Sequence, residues 1–423
     1  MNDFVIRGDI VYSSTGGDLI TAEDSFAVCV GGKCAGVFRE LPERFAALPT
    51  VDWSGMLVMP GMVDLHIHAP QFAFRGLGMD MELLDWLNTY AFPEERKYRD
   101  MEYAERGYRI FADAIRRSAT TRAVIFGTIY RQSDELLMEL MEQTGIVSYV
   151  GKVNMDRNAP DIITEDPARS VASTGRYLDH TIGKYANTYP IITPRFVPSC
   201  SEEVLEGLGR LAAERHVPVQ SHLSENPGEI EWVRELCPDA AFYGEAYDRH
   251  GLFGSSGNTV MAHCVYSSDD EIALMKRRGV YIAHCPASNM NVASGIAPIR
   301  RYLSEGLRVG LGTDIAGGQT ESVFTAMVEA LQVSRLYWRL VDPAMKPLSF
   351  AEAFMMATRG GGEFFGKVGA FEEGWEFDAI VIDDSALPHP QQLNLTQRAE
   401  RAVYLNGDLR ALKAKYCRGE KVV

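Results

Sequence analysis

The 423-residue chain carries a formal net charge of −15 at pH 7, which argues against a nucleic-acid backbone as a partner because phosphate binding needs a basic surface. Its seven cysteines are scattered and odd in number, so a reduced cytoplasmic protein without a disulfide framework is the simplest interpretation. No apolar run is long enough to span a bilayer, so we expect no membrane partner. A free nucleobase carries no phosphate and stays compatible with this charge.

Both ends of the chain have patterns typical of short antiparallel strands. Residues 4–13 and 26–39 alternate between apolar and polar positions, with a Gly-Gly turn inside the second segment. Residues 377–382 read as one apolar strand, and residues 402–423 suggest a hairpin that turns at Asn406. These segments indicate small sheets at the two ends.

Neither end can easily bury both faces of its strands alone. We therefore expect residues 1–55 and 369–423 to pair into one composite β-sandwich domain, discontinuous in sequence. The intervening residues, 56–368, form the second predicted domain.

Short apolar strands alternate with longer helical stretches between the two ends. The eight expected strands are residues 56–67, 122–128, 147–153, 191–197, 217–223, 259–264, 280–285 and 307–313. Eight strands alternating with helices are typical of a (β/α)8 TIM barrel, an α/β fold. The alternative is an open doubly wound sheet, which would normally show an early glycine-rich phosphate turn. The sequence has no such turn, so the barrel is favoured.

Function in such barrels gathers at the carboxyl ends of the strands. Those ends offer His66 and His68 on the first strand, His222 on the fifth and Asp314 on the eighth. A histidine taken alone is more often a core residue than a ligand. Three imidazoles and one carboxylate at strand ends, with room for a water, instead match the open coordination of catalytic zinc or iron.

Further polar residues follow the same strand ends. Glu225 comes three residues after His222, which would place a carboxylate above the metal for proton transfer. Asp314 could act as a base besides being a ligand. The fourth strand ends at Arg195 rather than at a bridging lysine, so one metal is favoured over two, and Lys152 keeps the binuclear alternative open.

Several segments together resemble the amidohydrolase superfamily, in its mononuclear aminohydrolase branch: Pro60–His68, Ser221–Glu225, Met261–His263 and Gly312–Asp314. A closer likeness to the guanine deaminases rests on His68–Phe72, Leu84–Glu94, Thr193–Phe196, Ile282–Pro286, Asp314–Gly318 and Gly374–Ile380. The likeness covers nearly the whole predicted barrel and the return into the C-terminal strands.

This resemblance implies one zinc ion per chain, Zn2+ held by the strand-end ligands named above. It implies Glu225 as the proton shuttle and His263 beside the metal water. Asp314 would help to remove the second proton. The implied reaction is the hydrolytic deamination of guanine to xanthine and ammonia, a step of purine catabolism, in a cytoplasmic homodimer.

The resemblance also implies that Gln71, Arg195 and Phe196 contact the purine. Arginine offers only donors, so Arg195 matches the oxygen at position six of guanine. Adenine has an amino donor there and would be rejected. Trp86 and Phe92 could line the ring face, although core packing explains most of their apolar stripe.

Other functions stay open on the residues alone. A related aminohydrolase could act on another purine, a pterin or a triazine, or on 8-oxoguanine, with the same metal site. A barrel that has lost its chemistry should lack ligands, and this sequence has the full set. His284 ends the seventh strand and is interpreted as structural or as a support for a neighbouring residue.

Overall fold

A computed structural model describes residues 3–255 and 257–423 as an α/β chain. Its strands are β1 (Phe4–Ser13), β2 (Leu19–Val30), β3 (Lys33–Phe38), β4 (Thr50–Pro60), β5 (Met62–His68), β6 (Thr120–Phe126), β7 (Val147–Gly151), β8 (Val153–Asn154), β9 (Thr188–Pro190), β10 (Thr193–Pro194), β11 (Val219–Leu223), β12 (Thr259–His263), β13 (Tyr281–His284), β14 (Arg308–Leu311), β15 (Ala379–Ile382), β16 (Leu412–Cys417) and β17 (Glu420–Lys421).

The helices lie mostly between the central strands. They are α1 (Leu83–Trp86), α2 (Phe92–Glu95), α3 (Met101–Arg117), α4 (Arg131–Thr144), α5 (Pro167–Thr181), α6 (Glu202–Arg215), α7 (Pro227–Leu236), α8 (Tyr243–Asp248), α9 (Asp269–Arg278), α10 (Pro286–Asn291), α11 (Ile299–Ser304), α12 (Val323–Leu340), α13 (Phe350–Met355), α14 (Leu395–Tyr404) and α15 (Gly407–Arg410). Among the described residues, none of these helices is both long and apolar enough to cross a membrane.

The central strands form two parallel sheets of four strands each, in the orders β5-β6-β7-β9 and β11-β12-β13-β14. A separate parallel pair joins β8 to β10. These strands are buried along nearly their whole length, as expected for parallel sheets that helices cover. Parallel pairing brings the carboxyl ends of neighbouring strands to the same edge, where polar side chains can meet.

The helices begin and end where the sequence supplies caps. Ser201 and Ser268 accept backbone hydrogen bonds at the starts of α6 and α9, which satisfies amide groups that have no partner inside the helix. Gly279 follows α9 with φ of 67°, a left-handed conformation that glycine adopts without a steric penalty. Local sequence therefore fixes the helix boundaries around the central strands.

The two ends of the chain meet in one seven-stranded sheet of order β17-β16-β15-β4-β1-β2-β3. Strand β4 lies inside it, parallel to β1 and antiparallel to β15. Within the described residues the ladders give this single sheet and do not divide it into the two facing layers of a sandwich. The expected strands at residues 4–13 and 26–39 are present, the second as the end of β2, the glycine turn and β3.

The expected hairpin at Asn406 is wrong. The preceding residues form α14, which begins with a capping box of Asn394 and Gln397. Asn406 then has a φ of 53° just before α15. The hairpin lies later, between β16 and β17. An Asn-Gly pair suits a hairpin turn, but it can equally end a helix, because asparagine tolerates the left-handed region.

Two of the expected central strands also differ from the structure. The segment 56–67 divides after Pro60 into β4 of the terminal sheet and β5 of the central strands. The segment 191–197 is regular only at β10, and β9 precedes it. Because proline cannot donate a ladder hydrogen bond, Pro190 and Pro194 keep these strands short.

Candidate active site

Strand ends bring the expected metal-binding side chains together in a buried cluster. The Nε2 atoms of His66 and His68 lie 3.1 and 3.5 Å from Oδ1 of Asp314. The Nε2 atoms of His68 and His222 are 3.3 Å apart. Four ligands at about 2.0–2.1 Å from one tetrahedral zinc ion lie roughly 3.3 Å from one another. These three separations therefore fit donor atoms around a single divalent metal ion. The ligand atoms of His66, His68 and Asp314 lie close enough together to hold one ion, and so do those of His66, His222 and His263.

The protonation states of the cluster suit metal binding. Burial lowers the pKa values of the imidazoles of His66, His68 and His222, so all three are neutral. Burial disfavours the charged form of Asp314, but the nearby His66 and His263 outweigh it and hold the pKa of that carboxyl far below its usual range. Neutral imidazole and ionised carboxylate are the forms in which these groups bind metals.

Neighbouring groups orient these side chains. Nδ1 of His222 lies 2.6 Å from the carbonyl oxygen of Arg195. A carbonyl only accepts, so Nδ1 carries the proton and Nε2 keeps a lone pair for a metal. Asp64 accepts from the Thr313 amide and, at 2.5 Å, from the Thr313 hydroxyl, which ties β5 to the residue before Asp314.

Glu225 lies beside His263. Its Oε2 is 3.4 Å from Nε2 of His263, and the hydroxyl of Ser294 donates to its Oε1 at 2.9 Å. Nδ1 of His263 is bonded to Oδ1 of Asn289 at 2.8 Å. Burial raises the pKa of Glu225 to about 7, which suits a group that takes up and returns a proton near neutral pH.

The backbone near the cluster adopts conformations that side chains rarely favour. Ser224, His263, Cys264 and Asp314 all have positive φ, between 46° and 72°. Such strain persists where the surrounding structure over-determines it, and it concentrates at functional sites. Ser224, His263 and Cys264 end or directly follow β11 and β12, and Asp314 comes three residues after β14. The strain therefore falls near the strand ends that carry the cluster.

A cavity of about 450 Å³, part of it open to solvent, adjoins the cluster. The three residues expected to contact substrate, Gln71, Arg195 and Phe196, all line it. Trp86 also lines this cavity, whereas Phe92 packs against Arg195, with 5.1 Å between its ring centroid and the guanidinium carbon. A flat heterocycle could therefore reach the cluster and the polar groups at the same time.

Lys152, which kept the binuclear alternative open, and His284, interpreted as a structural or supporting residue, both lie outside the cluster. Lys152 donates to Glu165 at 2.5 Å and to the carbonyl of Val153, so its ammonium group is held in an ion pair. His284 is buried, does not line the cavity and has no hydrogen-bond partner for its ring among the described residues. Burial lowers the pKa of His284 to about 3, so it is a neutral core residue.

The model of the Amidohydrolase family matches residues 57–410. This chain belongs to the amidohydrolase family. Among curated relatives, guanine deaminase from Dictyostelium discoideum is 37% identical over 380 residues, which cover 88% of this chain and 84% of that protein. These findings account for the likeness of the strand-end motifs.

Solved structures extend the same relationship. Guanine deaminase from C. acetobutylicum, described with guanine bound in its active site, has a TM-score of 0.97 and 44% identity over 100% of both chains. An adenosine deaminase from Xanthomonas campestris with bound zinc has a TM-score of 0.81 and 22% identity, over 99% of this chain and 92% of that one. The second likeness concerns the fold alone. The chain has the amidohydrolase fold of the guanine deaminases.

Three residues around the site were not anticipated from the sequence. Ser294 and Asn289 follow the seventh strand and hold Glu225 and His263. Glu95, in α2, bonds both Gln71 and Arg195. Strand-end position cannot reveal these residues, because none of them ends a strand. A carboxylate beside a mostly apolar helical stretch was the one available signal for Glu95.

Proposed function

We propose that this protein hydrolyses guanine to xanthine and ammonia. The observation that carries the proposal is that one cavity is lined by members of the ligand cluster, by Glu225, and by Gln71 and Arg195. A structural relative at 44% identity over the whole chain is described with guanine in its active site. The site therefore combines the means to activate water with the means to hold a purine.

The residues proposed to hold a metal fit one zinc ion per chain. His66, His68, His222 and Asp314 offer three neutral imidazoles and an ionised carboxylate, a donor set that zinc accepts readily. When bound, zinc lowers the pKa of a coordinated water to about 7 and so makes hydroxide available near neutral pH. Iron is the alternative metal, and elemental analysis distinguishes the two.

The remaining residues of the site would move protons. The water attacks C2, the guanine carbon that bears the amino group. Glu225, with its raised pKa, takes a proton from this water and delivers it to the ring nitrogen beside C2. His263, whose Nε2 faces Glu225, stabilises the negative charge that develops on the attacking oxygen. Asp314 accepts the second proton, and protonation of the departing amine releases ammonia.

Substrate choice follows from the groups opposite the cluster. Arg195 donates to the oxygen at position six of guanine. An amino group at that position would place its own hydrogen-bond donor against the N–H donors of Arg195. Gln71 binds the purine edge next to it, and the aromatic ring of Phe196 covers a purine face. All three residues are buried, so a mismatched partner would leave polar groups without hydrogen bonds.

We also infer that the two four-stranded sheets close into one (β/α)8 barrel. A parallel bridge between Ile192 and Val219 supports one seam. At the other seam the Asp314 amide donates to the His66 carbonyl at 2.8 Å, and the His68 amide donates to the Ile315 carbonyl at 3.2 Å. The barrel would span residues 56–368, with residues 1–55 and 369–423 as the second domain.

We propose a zinc-dependent cytoplasmic homodimer that serves purine catabolism. The compartment is supported by the scattered, odd number of cysteines, and the homodimer and the pathway are supported by the family resemblance. Analytical ultracentrifugation tests the assembly. A single species of twice the mass of one chain supports the homodimer, and a monomer contradicts it.

Turnover of guanine is the direct test of the activity. Metal-analysed protein is incubated with guanine, and the loss of ultraviolet absorbance and the release of ammonia are followed, with adenine, cytosine and 8-oxoguanine in parallel. We expect rapid xanthine formation confined to guanine in protein that carries about one zinc per chain. Metal-loaded protein that leaves guanine intact would contradict the substrate assignment and direct attention to the other heterocycles.

A further inference from the structure

Glu95 joins the two side chains that are expected to recognise the purine. Its Oε1 accepts from Nε2 of Gln71 at 2.8 Å, and its Oε2 accepts from Nη1 of Arg195 at 2.6 Å. Glu95 is 3% exposed and does not line the cavity, whereas both partners do. The carboxylate thus lies behind the recognition groups.

The hydrogen bonds around Gln71 fix the orientation of its amide. The backbone N–H of Ala316 donates to Oε1 of Gln71 at 3.0 Å. Because an amide N–H can only donate and an ionised carboxylate can only accept, Gln71 must turn its oxygen to Ala316 and its nitrogen to Glu95. One N–H and one lone pair of the Gln71 amide are then left for a ligand.

Glu95 also constrains Arg195. One N–H of the guanidinium group is used by the carboxylate, and Phe92, on the same short helix as Glu95, packs 5.1 Å from the guanidinium carbon. No other carboxylate of the described residues lies within ion-pair distance of Arg195. Arg195 is only 3% exposed, so its charge depends on Glu95 for compensation.

We propose that Glu95 is a positioning residue that sets the preference for a purine with an oxygen at position six. It holds the remaining Arg195 donors toward that oxygen and fixes which ends of the Gln71 amide donate and accept. This inference rests on the proposed function and deepens it. It identifies a residue that makes the site prefer guanine to 2-aminopurine, which lacks the oxygen at position six.

The test compares Glu95→Gln with Glu94→Gln. A glutamine at position 95 sets its NH2 group against a donor of Gln71 or of Arg195, whichever way its amide turns. Glu94 is the matched control because it is the adjacent buried glutamate, and its carboxylate bonds Lys97 and Tyr103 instead. Both variants are loaded with metal and checked by circular dichroism and thermal melting.

Two ligands separate positioning from general damage. For each protein we measure kcat/KM for guanine and the inhibition constant of 2-aminopurine, which has the 2-amino group but lacks the oxygen. In Glu95→Gln we expect kcat/KM for guanine to fall about 10- to 100-fold, with the 2-aminopurine constant changing less than about 3-fold. In Glu94→Gln both constants should stay within about 2-fold.

Glu95→Asp keeps the inference testable if Glu95→Gln does not fold. Aspartate retains the charge that Arg195 needs, but it is one methylene shorter and cannot reach both partners in the same positions. We expect it to fold and to lose about 3- to 10-fold in kcat/KM for guanine, with the 2-aminopurine constant again nearly unchanged. Equal losses for both ligands in either variant would make Glu95 a purely structural ion-pair partner.

The possible failures are distinguishable. An unaltered, metal-loaded protein that does not convert guanine contradicts the proposed function itself. An unaltered protein that converts guanine, combined with a Glu95→Gln variant that behaves like Glu94→Gln, contradicts only the role of Glu95.

Discussion

Glu225 and Asp314 are both buried carboxylates near His263, yet their environments shift their pKa values in opposite directions. Burial raises the pKa of Glu225 to about 7. The imidazoles around Asp314 outweigh its burial, and its pKa is strongly lowered. Environments that separate the pKa values of two acids assign them different roles. The lowered pKa of Asp314 suits its proposed roles as a metal ligand and as the acceptor of the second proton, and the raised pKa of Glu225 suits its proposed role as the proton shuttle.

We expect Glu225→Gln to lower kcat for guanine by about 1000-fold, because the amide cannot accept the proton of water. Metal content should not change, since Glu225 is not one of the proposed ligands. Steady-state kinetics and elemental analysis measure the two quantities. The control is Glu231→Gln, an exposed glutamate of α7 that pairs with Arg234. Activity within tenfold of the unaltered protein, with the metal retained, would exclude the shuttle role.

Asp408 gives a pH-dependent prediction away from the site. The hydroxyl of Ser322, at the start of α12, donates to its Oδ2 at 2.5 Å. Burial raises the pKa of Asp408 to about 6, from a model-peptide value of 3.8. The folded state therefore binds the proton more tightly than the unfolded state. The cost of burying the charge is absent below about pH 4 and complete above about pH 6.

Asp408→Asn removes that cost, so it should stabilise the protein more at pH 8 than at pH 5. Linkage gives a difference of about 1 to 2 kcal/mol in the free energy of unfolding between these pH values. Thermal melting at both pH values measures the change, with the exposed Asp18→Asn as the control. A stabilisation of equal size at pH 5 and pH 8 would show that the carboxyl of Asp408 is not responsible.

Among the secondary-structure elements, β16 of the terminal sheet contacts the end of α3 and the start of β6 through Lys415. The ammonium group of Lys415 donates to the carbonyls of Ile115, Ser118 and Thr120 at 2.9–3.0 Å. Ile115 lies in the last turn of α3, where carbonyls need partners beyond the helix, and its carbonyl also accepts from the amide and hydroxyl of Ser118. One side chain thus satisfies the end of α3 and the start of β6 together.

Lys415→Met should lower the free energy of unfolding by about 3 kcal/mol, because three buried carbonyls lose a charged donor, although the Ile115 carbonyl keeps the amide and hydroxyl of Ser118. Lys413→Met is the matched control, since Lys413 is on the same strand but is partly exposed and pairs with Asp383. Chemical denaturation of both variants measures the difference. Similar stabilities for the two variants would show that the carbonyls at the end of α3 find other partners.

Sequence pattern predicted the elements whose signals are local. The apolar runs of β6, β11 and β12 predict buried strands. His66, His222 and Asp314 lie at or near strand ends that the structure brings together. The helix α14 was missed because its Asn406-Gly407 end also suits a hairpin turn. Glu95 was missed because its contact with Arg195 joins residues far apart in the chain, and no local periodicity encodes such a pair.

At the scale of the whole molecule, the proposed metal ligands are divided between the two four-stranded sheets. The proposed ligands come from β5 in one four-stranded sheet, and from β11 and the residues after β14 in the other. Parallel strand pairing holds each sheet internally, whereas a metal would link the two sheets directly. Metal loading should therefore stabilise the fold besides serving the reaction.

Removal of the metal by a chelator should lower Tm by about 5–10 °C, and added zinc should restore it. Differential scanning calorimetry of chelated, reloaded and untreated protein measures the shift. Glu225→Gln serves as a second sample, because it should show the same metal-dependent shift without activity. An unchanged Tm in protein shown by elemental analysis to be metal-free would mean that the sheets do not need the link.

The place of β4 between β1 and β15 has a consequence for biosynthesis. Strand β4 can pair with β1 early during translation, but its other neighbour, β15, leaves the ribosome only after all of the central strands. Until then β4 exposes an unpaired edge, which is a template for association with other chains. We therefore expect the nascent chain to carry an open terminal sheet until residues 379–417 are synthesised, and only then to cover the edge of β4.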